Sequence, residues 1–289
     1  MDILSQLKNF GRKKCLAFVL GGGGARGAFQ VGALQALLEA GIQPDLLVGT
    51  SIGAANAAFI AIKGFTPEGI AALRETWKSA ASADLLPSNY LAYTMHSLFG
   101  RQRINPAHRM RDFFVANGLS PDLRFADLRP IRLIVVSADL NSGSPVLHGD
   151  QLDESVLEGV LASTALPPWV TPIKHEKRFM VDGGFLSNLP LEPAISAGAT
   201  KIIALDLSRP DEIDPVAVGF GPFLEKMIAA IHVRQVKLEL ALARERGIPT
   251  LHIQLEWPSA VPVWDFTHTE KLMELGYTKT AKMLKENKL

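Results

Sequence analysis

"CLAFVLGGGGARGAFQVGAL", residues 15–34, decides how the rest of the chain is read. The bulky apolar run from Cys15 to Leu20 predicts a buried strand. Gly27 to Ala40 has helical spacing, with Phe29, Val31, Leu34, Leu37 and Leu38 mostly on one side and Gly41 as its stop. Four consecutive glycines, Gly21 to Gly24, stand between them. Glycine loses more conformational freedom on folding than any other residue, so such a run marks a place where backbone must come very close to another group.

The pattern repeats at once in "PDLLVGTSIGAANAAFIAIKG", residues 44–64. Leu46 to Val48 predicts a short buried strand, and Ser51 to Lys63 an alanine-rich helix ended by Gly64. Ile131 to Val136 and Lys201 to Leu205 read as further core strands, and "KRFMVDGG" as a strand ending at Asp182. This alternation predicts an α/β fold of three α/β/α layers around a mostly parallel central sheet. The expected organisation is one domain over 1–289, with a core over about 15–207 and a C-terminal helical extension over about 208–289. That extension holds helices over Pro222 to Arg246 and Thr269 to Asn287, with a strand near Leu251 to Ile253.

Residues 80–128 are irregular, with Pro87, Pro106 and Pro121 among Tyr90, Tyr93, Met95, Leu98 and Phe99. They read either as a lid or wall over a cleft or as a covering subdomain without a functional contact.

Composition narrows the function classes. The 289 residues are 47% hydrophobic and 20% charged, enough to bury one large core. A formal net charge of +1, with basic residues spread along the chain, provides no global field for nucleic acid. Cys15 is the single cysteine, which leaves no intrachain disulfide or cysteine-rich zinc site. The apolar stretch after Arg12-Lys13-Lys14 is too short for a signal peptide and runs into the glycines. No stretch reaches the roughly 20 apolar residues of a spanning helix. The chain is therefore expected in the cytoplasm. Ile3, Leu4, Leu7 and Phe10 form one face of a short helix. That face leaves open packing on the domain, a homo-oligomer contact, or peripheral contact with the inner face of the membrane.

What do the glycines face? Gly22, Gly24 and Gly27 fit a dinucleotide-binding G-x-G-x-x-G, but that reading needs an acidic side chain where the second strand ends. Here it ends in Gly49-Thr50-Ser51, with Asp45 at the opposite end. A Walker loop fails because no G-K-[ST] follows. A third reading starts from "GTSIG", Gly49 to Gly53, a G-x-S-x-G between an apolar strand and a helix, which is the context of a nucleophile elbow. Adjacent parallel strands would set the glycine turn beside Ser51 at the carboxyl edge of the sheet, where ligands bind in such folds. Backbone N–H groups around Gly22 to Gly24 could then meet the oxygen that turns negative when Ser51 attacks an ester carbonyl. Arg26 reads as a structural support of that loop.

A serine needs a base. His96, His108, His148, His175, His232, His252 and His268 stand in no convincing catalytic frame. Asp182 in "FMVDGGFLSNLP" is the better candidate: it follows an apolar strand, at the same type of edge as Ser51, and Gly183-Gly184 gives close backbone access. An aspartate in an ordinary turn is the competing reading.

"GGGGARG", "GTSIG" and "DGG", in this order and each after a strand, resemble the patatin-like phospholipase family, as do "ASTALPPW" at residues 162–169 and "NLP" after the aspartate. The similarity covers about Cys15 to Leu207 and is greatest to bacterial members related to the esterase domain of neuropathy target esterase. One departure is Gly21, where many members carry Asp.

The resemblance implies a serine lipid acyl hydrolase with a Ser-Asp dyad. Ser51 would be the nucleophile, Asp182 the base, and Gly22, Gly23 and Gly24 the oxyanion hole. Arg26, Gly49, Gly53, Gly183 and Gly184 would support them. It implies no cofactor and no metal, and a phospholipid, lysophospholipid or other lipid ester as substrate. Apolar residues of 80–128 are candidates to line an acyl pocket, and Trp169 reads either as a core residue or as part of that lining. Arg101, Arg103, Arg109 and Arg111 read as a solvated basic face or a headgroup site. The rival reading is a non-catalytic lipid-binding or regulatory module on the same fold.

Overall fold

The structure, a computed structural model, describes residues 14–81, 85, 107–167, 170–175, 177–208, 220–256 and 261–287. Strand β1 (Leu16–Leu20) leads through the glycines and a 3-10 turn at Gly24–Gly27 into α1 (Ala28–Glu39). Strand β2 (Leu46–Thr50) passes at Ser51 into α2 (Ile52–Lys63), and α3 (Pro67–Ala80) follows, its N-terminus capped by the Thr66 side chain. Then come α4 (Ala107–Ala116), β3 (Arg132–Asp139), β4 (Ser144–His148), α5 (Val156–Ser163), β5 (Ile173–His175) and β6 (Arg178–Asp182). The chain closes with α6 (Leu191–Ser196), β7 (Lys201–Asp206), α7 (Phe220–Glu245), β8 (Thr250–Gln254) and α8 (Thr269–Glu286).

The strands form one eight-stranded sheet in which β3, β2, β1, β7 and β8 lie side by side and parallel. Successive side chains of a strand face opposite sides, so a sheet covered on both faces needs apolar residues at every position. Phe18, Leu47, Leu133, Val135, Ile203 and Leu205 enter one core, beneath α1, α2, α3, α5 and α8. Ala17, Val19, Leu46, Val48, Ile134, Val136, Ile202 and Ala204 enter the other, with Leu191 and Ala194 of α6 and Val236 and Ala243 of α7. The three-layer α/β/α expectation holds.

The segment after residue 207 holds the expected strand between two helices. β8 adds a strand beside β7, and α8 packs on α1, placing Leu272 and Met273 in the first core. The C-terminal region thus adds to the same sheet and the same core.

One part of the sheet departs from the parallel plan. Residues 132–136 of β3 pair with β2, residues 135–139 with β4 and residues 137–139 with β6. A strand residue has one neighbour on each flank, so β4 holds one side of β3 while β2 and β6 share the other. β2 runs parallel to β3 and β6 antiparallel, so the two approach tip to tip, Thr50 opposite Val136 and Asp182 opposite the next residue, Ser137. Asp182 therefore reaches the edge where β2 ends from the opposite direction, at the tip of an antiparallel strand within the mostly parallel sheet. Short, partly polar β4 and β5 carry too little apolar periodicity to announce this ribbon.

Candidate active site

Ser51 occupies the turn between β2 and α2 with φ 55° and ψ −127°, and among the described residues it alone combines a side chain with positive φ. Such a backbone costs on the order of 1–3 kcal/mol and persists only where the surroundings enforce it. The enforcing contacts are visible. The Ser51 N–H donates to Ser163 Oγ at 2.8 Å, and that hydroxyl donates to the Val136 carbonyl at 2.6 Å. Beneath the turn, a Cβ on Gly53 would stand 2.2 Å from the Leu20 carbonyl oxygen, so only glycine lets α2 start this close to β1.

The head-on meeting of β2 and β6 brings the two candidate reacting groups together. Ser51 Oγ donates to Asp182 Oδ2 at 2.5 Å. The other carboxylate oxygen, Oδ1, accepts the Gly184 N–H at 2.8 Å, which fixes the plane of the carboxylate. Asp182 is buried, and burial raises its pKa from 3.8 to about 6 against the opposing hydrogen bonds from Ser51 and Gly184. The group thus stays ionised near neutrality while being a far better proton acceptor than an exposed aspartate. No described histidine is hydrogen-bonded to Ser51. His252 pairs with Asp206 at 2.8 Å, and His148 with Ser137 at 2.9 Å.

The glycine loop lies against the same turn, with the place of a Gly22 Cβ 3.1 Å from the Ser51 Cβ. Its three expected donors are not equivalent. The Gly22 N–H is already committed to the Asn188 carbonyl at 2.9 Å, which removes it from the predicted oxyanion trio. The N–H groups of Gly23 and Gly24 have no partner among the described residues. Gly24 has φ 56°, a conformation an L side chain would strain, and a Cβ there would meet the Val263 carbonyl oxygen at 2.4 Å. Arg26 Nε donates to the Gly23 carbonyl at 3.2 Å, a supporting contact within the loop.

A buried polar chain stands behind the loop. Gln30 Nε2 donates to the Gly21 carbonyl at 2.9 Å and the Leu205 carbonyl at 3.2 Å. Asn56 Nδ2 donates to Gln30 Oε1 at 3.0 Å and the Gly27 carbonyl at 3.1 Å. Trp77 Nε1 donates to Asn56 Oδ1 at 2.8 Å. Every amide hydrogen and carbonyl of Gln30 and Asn56 is matched, so the network is rigid without a desolvation penalty.

On the opposite face of the sheet, α7 grips the segment after Asp182. His232 lies against Gly184, and Gln235 Nε2 donates to the Phe185 carbonyl at 2.8 Å. Gln235 Oε1 accepts the Asn188 N–H at 3.4 Å. Glu239 takes the Ser187 hydroxyl through a short hydrogen bond and the Glu192 N–H at 2.6 Å. Burial and then the Arg26 charge push the His232 pKa down to about 4, and burial lifts Glu239 to about 6. His232 is therefore neutral near pH 7. Positions 232, 235 and 239 share one helix face, the signal by which a polar stripe in a half-buried helix can be read from sequence.

From Ser51 an apolar cleft with about 860 Å³ of empty space, its open mouth included, runs between α2, α3 and α4. Ile52, Phe59, Leu73, Trp77, Phe114 and Leu119 form much of its wall. Its few polar side chains besides Ser51 are already engaged: Asn56 with Trp77, Thr76 with Asn117, and Thr164 with the Val160 carbonyl. Of residues 80–128, Met110, Phe113, Phe114 and Leu119 line this cleft. Tyr90, Tyr93, Met95, Leu98, Phe99, Trp169, Arg101 and Arg103 lie outside the described residues, as do Ile3, Leu4, Leu7 and Phe10. Arg111 is bonded to Glu158 of α5 at 2.6 Å and ties α4 to the body. No helix among the described residues is long and apolar enough to cross a membrane.

Residues 18–195 match the sequence model of the family described as patatin-like phospholipase. The chain is 34% identical over 206 residues to human patatin-like phospholipase domain-containing protein 6, covering 71% of this chain and 14% of that protein. The mouse domain-containing protein 7 is 31% identical over 207 residues, with the same two coverages, 71% and 14%. An NTE family protein of Mycobacterium tuberculosis is 32% identical over 196 residues, 68% of this chain and 31% of that one. The matched region is thus a small part of each relative's length.

Two solved structures share the fold. VipD from Legionella pneumophila has a TM-score of 0.50 at 18% identity, over 95% of this chain and 67% of that one. Human GIVD cytosolic phospholipase A2 has a TM-score of 0.51 at 12% identity, over 95% and 58%.

Proposed function

The chain belongs to the patatin-like phospholipase family, and from that premise we propose that it is a serine lipid acyl hydrolase working through Ser51 and Asp182. The observation that carries the reading is the 2.5 Å hydrogen bond from Ser51 Oγ to Asp182 Oδ2 at a strained elbow facing an apolar cleft.

Asp182 accepts the hydroxyl proton as Ser51 Oγ bonds to the ester carbonyl carbon. The carbonyl oxygen becomes an oxyanion beside Gly23 and Gly24, whose N–H groups stabilise it. One such donor is worth about 3 kcal/mol in systems where it has been removed. The proton on Asp182 passes to the departing alkoxide as the ester C–O bond breaks, leaving an acyl group on Ser51. Water then adds to the acyl carbon, giving its proton to Asp182, and the collapse releases fatty acid and restores the serine hydroxyl. The apolar cleft takes the acyl chain, so the substrate class is a long-chain lipid ester, a phospholipid or lysophospholipid.

The test is fatty-acid release from lysophosphatidylcholine, together with turnover of a soluble short-chain nitrophenyl ester, by wild type, Ser51→Ala and Asp182→Asn. Turnover by wild type alone is expected. Undiminished release by Ser51→Ala would remove the reading.

A further inference from the structure

Helix α7 projects past the site and carries an exposed apolar row. Its 26 residues span about 39 Å, whereas the six-residue β7 covers about 20 Å. Because β7 and β8 are parallel and α7 connects them, the helix starts at the carboxyl edge and runs back across the sheet. His232 stands level with Gly184, so residues 220–231 overhang the edge where Ser51 opens. Phe223 lies about 14 Å beyond His232 along the axis.

On this overhang Phe223, Met227 and Ile231 are 48%, 46% and 49% exposed, and Leu238 continues the row at 51%. At about 100° per residue these four fall within an arc of roughly 80°, and Arg234 falls inside it. Lys226 and Lys237 border the row on one side. Glu239, by contrast, points inward to Ser187. Single exposed apolar side chains need no explanation, but four aligned ones bordered by cations form an amphipathic surface.

We infer that the outer face of α7 docks on an anionic lipid surface, holding the domain at the bilayer. Phe223, Met227 and Ile231 enter the acyl–headgroup boundary while Lys226, Arg234 and Lys237 meet lipid phosphates, the division of labour of an interfacial helix. The inner face of the same helix holds the Asp182–Asn188 segment through His232, Gln235 and Glu239. A docked α7 therefore sets the site at a fixed height and angle to the membrane. The inference rests on the lipid-ester reading for its purpose, but its binding step does not depend on catalysis.

The experiment is cosedimentation of the full chain with vesicles of phosphatidylcholine alone or with phosphatidylglycerol, alongside turnover of a soluble nitrophenyl ester. The proteins are wild type, Met227→Glu/Ile231→Glu and Lys226→Ala/Lys237→Ala. Wild type is expected to sediment with the anionic vesicles and to be released by salt. The glutamate pair should bind at least about tenfold more weakly with ester turnover unchanged, and the alanine pair should lose the anionic preference. Wild type remaining in solution with both vesicles, or the glutamate pair binding as well as wild type, would overturn the inference. So would a wild-type dimer that the glutamate pair converts to monomer without any change in vesicle binding, since a second copy would then cover the row. Vesicle binding without ester turnover by wild type would instead leave docking intact and count against the hydrolase reading.

Discussion

The hydroxyl of Ser163 ties the backbone of Ser51 to the sheet: it accepts the Ser51 N–H at 2.8 Å and donates to the Val136 carbonyl at 2.6 Å. One buried side chain thereby holds the positive-φ turn that presents the Ser51 hydroxyl to Asp182.

Ser163→Ala leaves both backbone groups without this partner and allows the turn to relax. Stability is expected to fall by about 1–3 kcal/mol, read by urea unfolding. Turnover of a soluble ester should fall by roughly tenfold or more through kcat, because the 2.5 Å contact to Asp182 loosens. Unchanged kcat in a protein destabilised by that amount would show that the turn is held without Ser163.

Activity is expected to follow the ionisation of Asp182. Only its carboxylate can accept a proton, so kcat/KM should rise with pH and level off above an apparent pKa of about 6. The stability effect has the opposite sign. The folded-state pKa lies above the unfolded value of 3.8, so the stabilising contribution of the neutral acid is complete below 3.8 and is lost as pH rises through about 6. Asp182→Asn should therefore be more stable than wild type near pH 8, by up to about 3 kcal/mol, with the gain vanishing near pH 4. Thermal unfolding at the two pH values checks this, and a gain independent of pH would contradict it.

Replacing Asn56 by leucine strands the Trp77 indole N–H, the Gly27 carbonyl and the Gln30 amide oxygen in the interior. A loss of about 3 kcal/mol or more in denaturant unfolding is expected, since each buried polar group left alone costs about 1–3 kcal/mol. Trp77→Phe, which strands only the Asn56 oxygen, should cost less.

Ala55 lines the cleft one helical turn after Ser51. Phenylalanine there is expected to shorten the space for the acyl chain, cutting kcat/KM for long-chain esters by about tenfold or more relative to an acetate ester. An equal fall for both esters would place the acyl chain elsewhere.

The parts of this site that were legible in sequence are those encoded within a few residues. Ser51 and the glycine run each lie between an apolar strand and a helix, and that local pattern alone predicts their conformation. Asp182 was legible as a residue after a strand, but its approach was not, because strand direction is settled by pairing with β3 across more than 40 residues. The same limit hid the commitment of the Gly22 N–H to Asn188 and the grip of α7 on the Ser187 segment. Ser163 stood in the block "ASTALPPW" with nothing local to assign its hydroxyl to Ser51. β8 was visible as an apolar stretch, yet its place at the sheet edge depended on β7 offering a free flank.

The central claim is that Asp182 alone activates Ser51, and intact-mass labelling with a fluorophosphonate tests it most directly. Wild type should gain one probe mass, Ser51→Ala none, and Asp182→Asn none on the time scale that saturates wild type. Full-rate labelling of Asp182→Asn, or labelling that survives Ser51→Ala, would contradict the account.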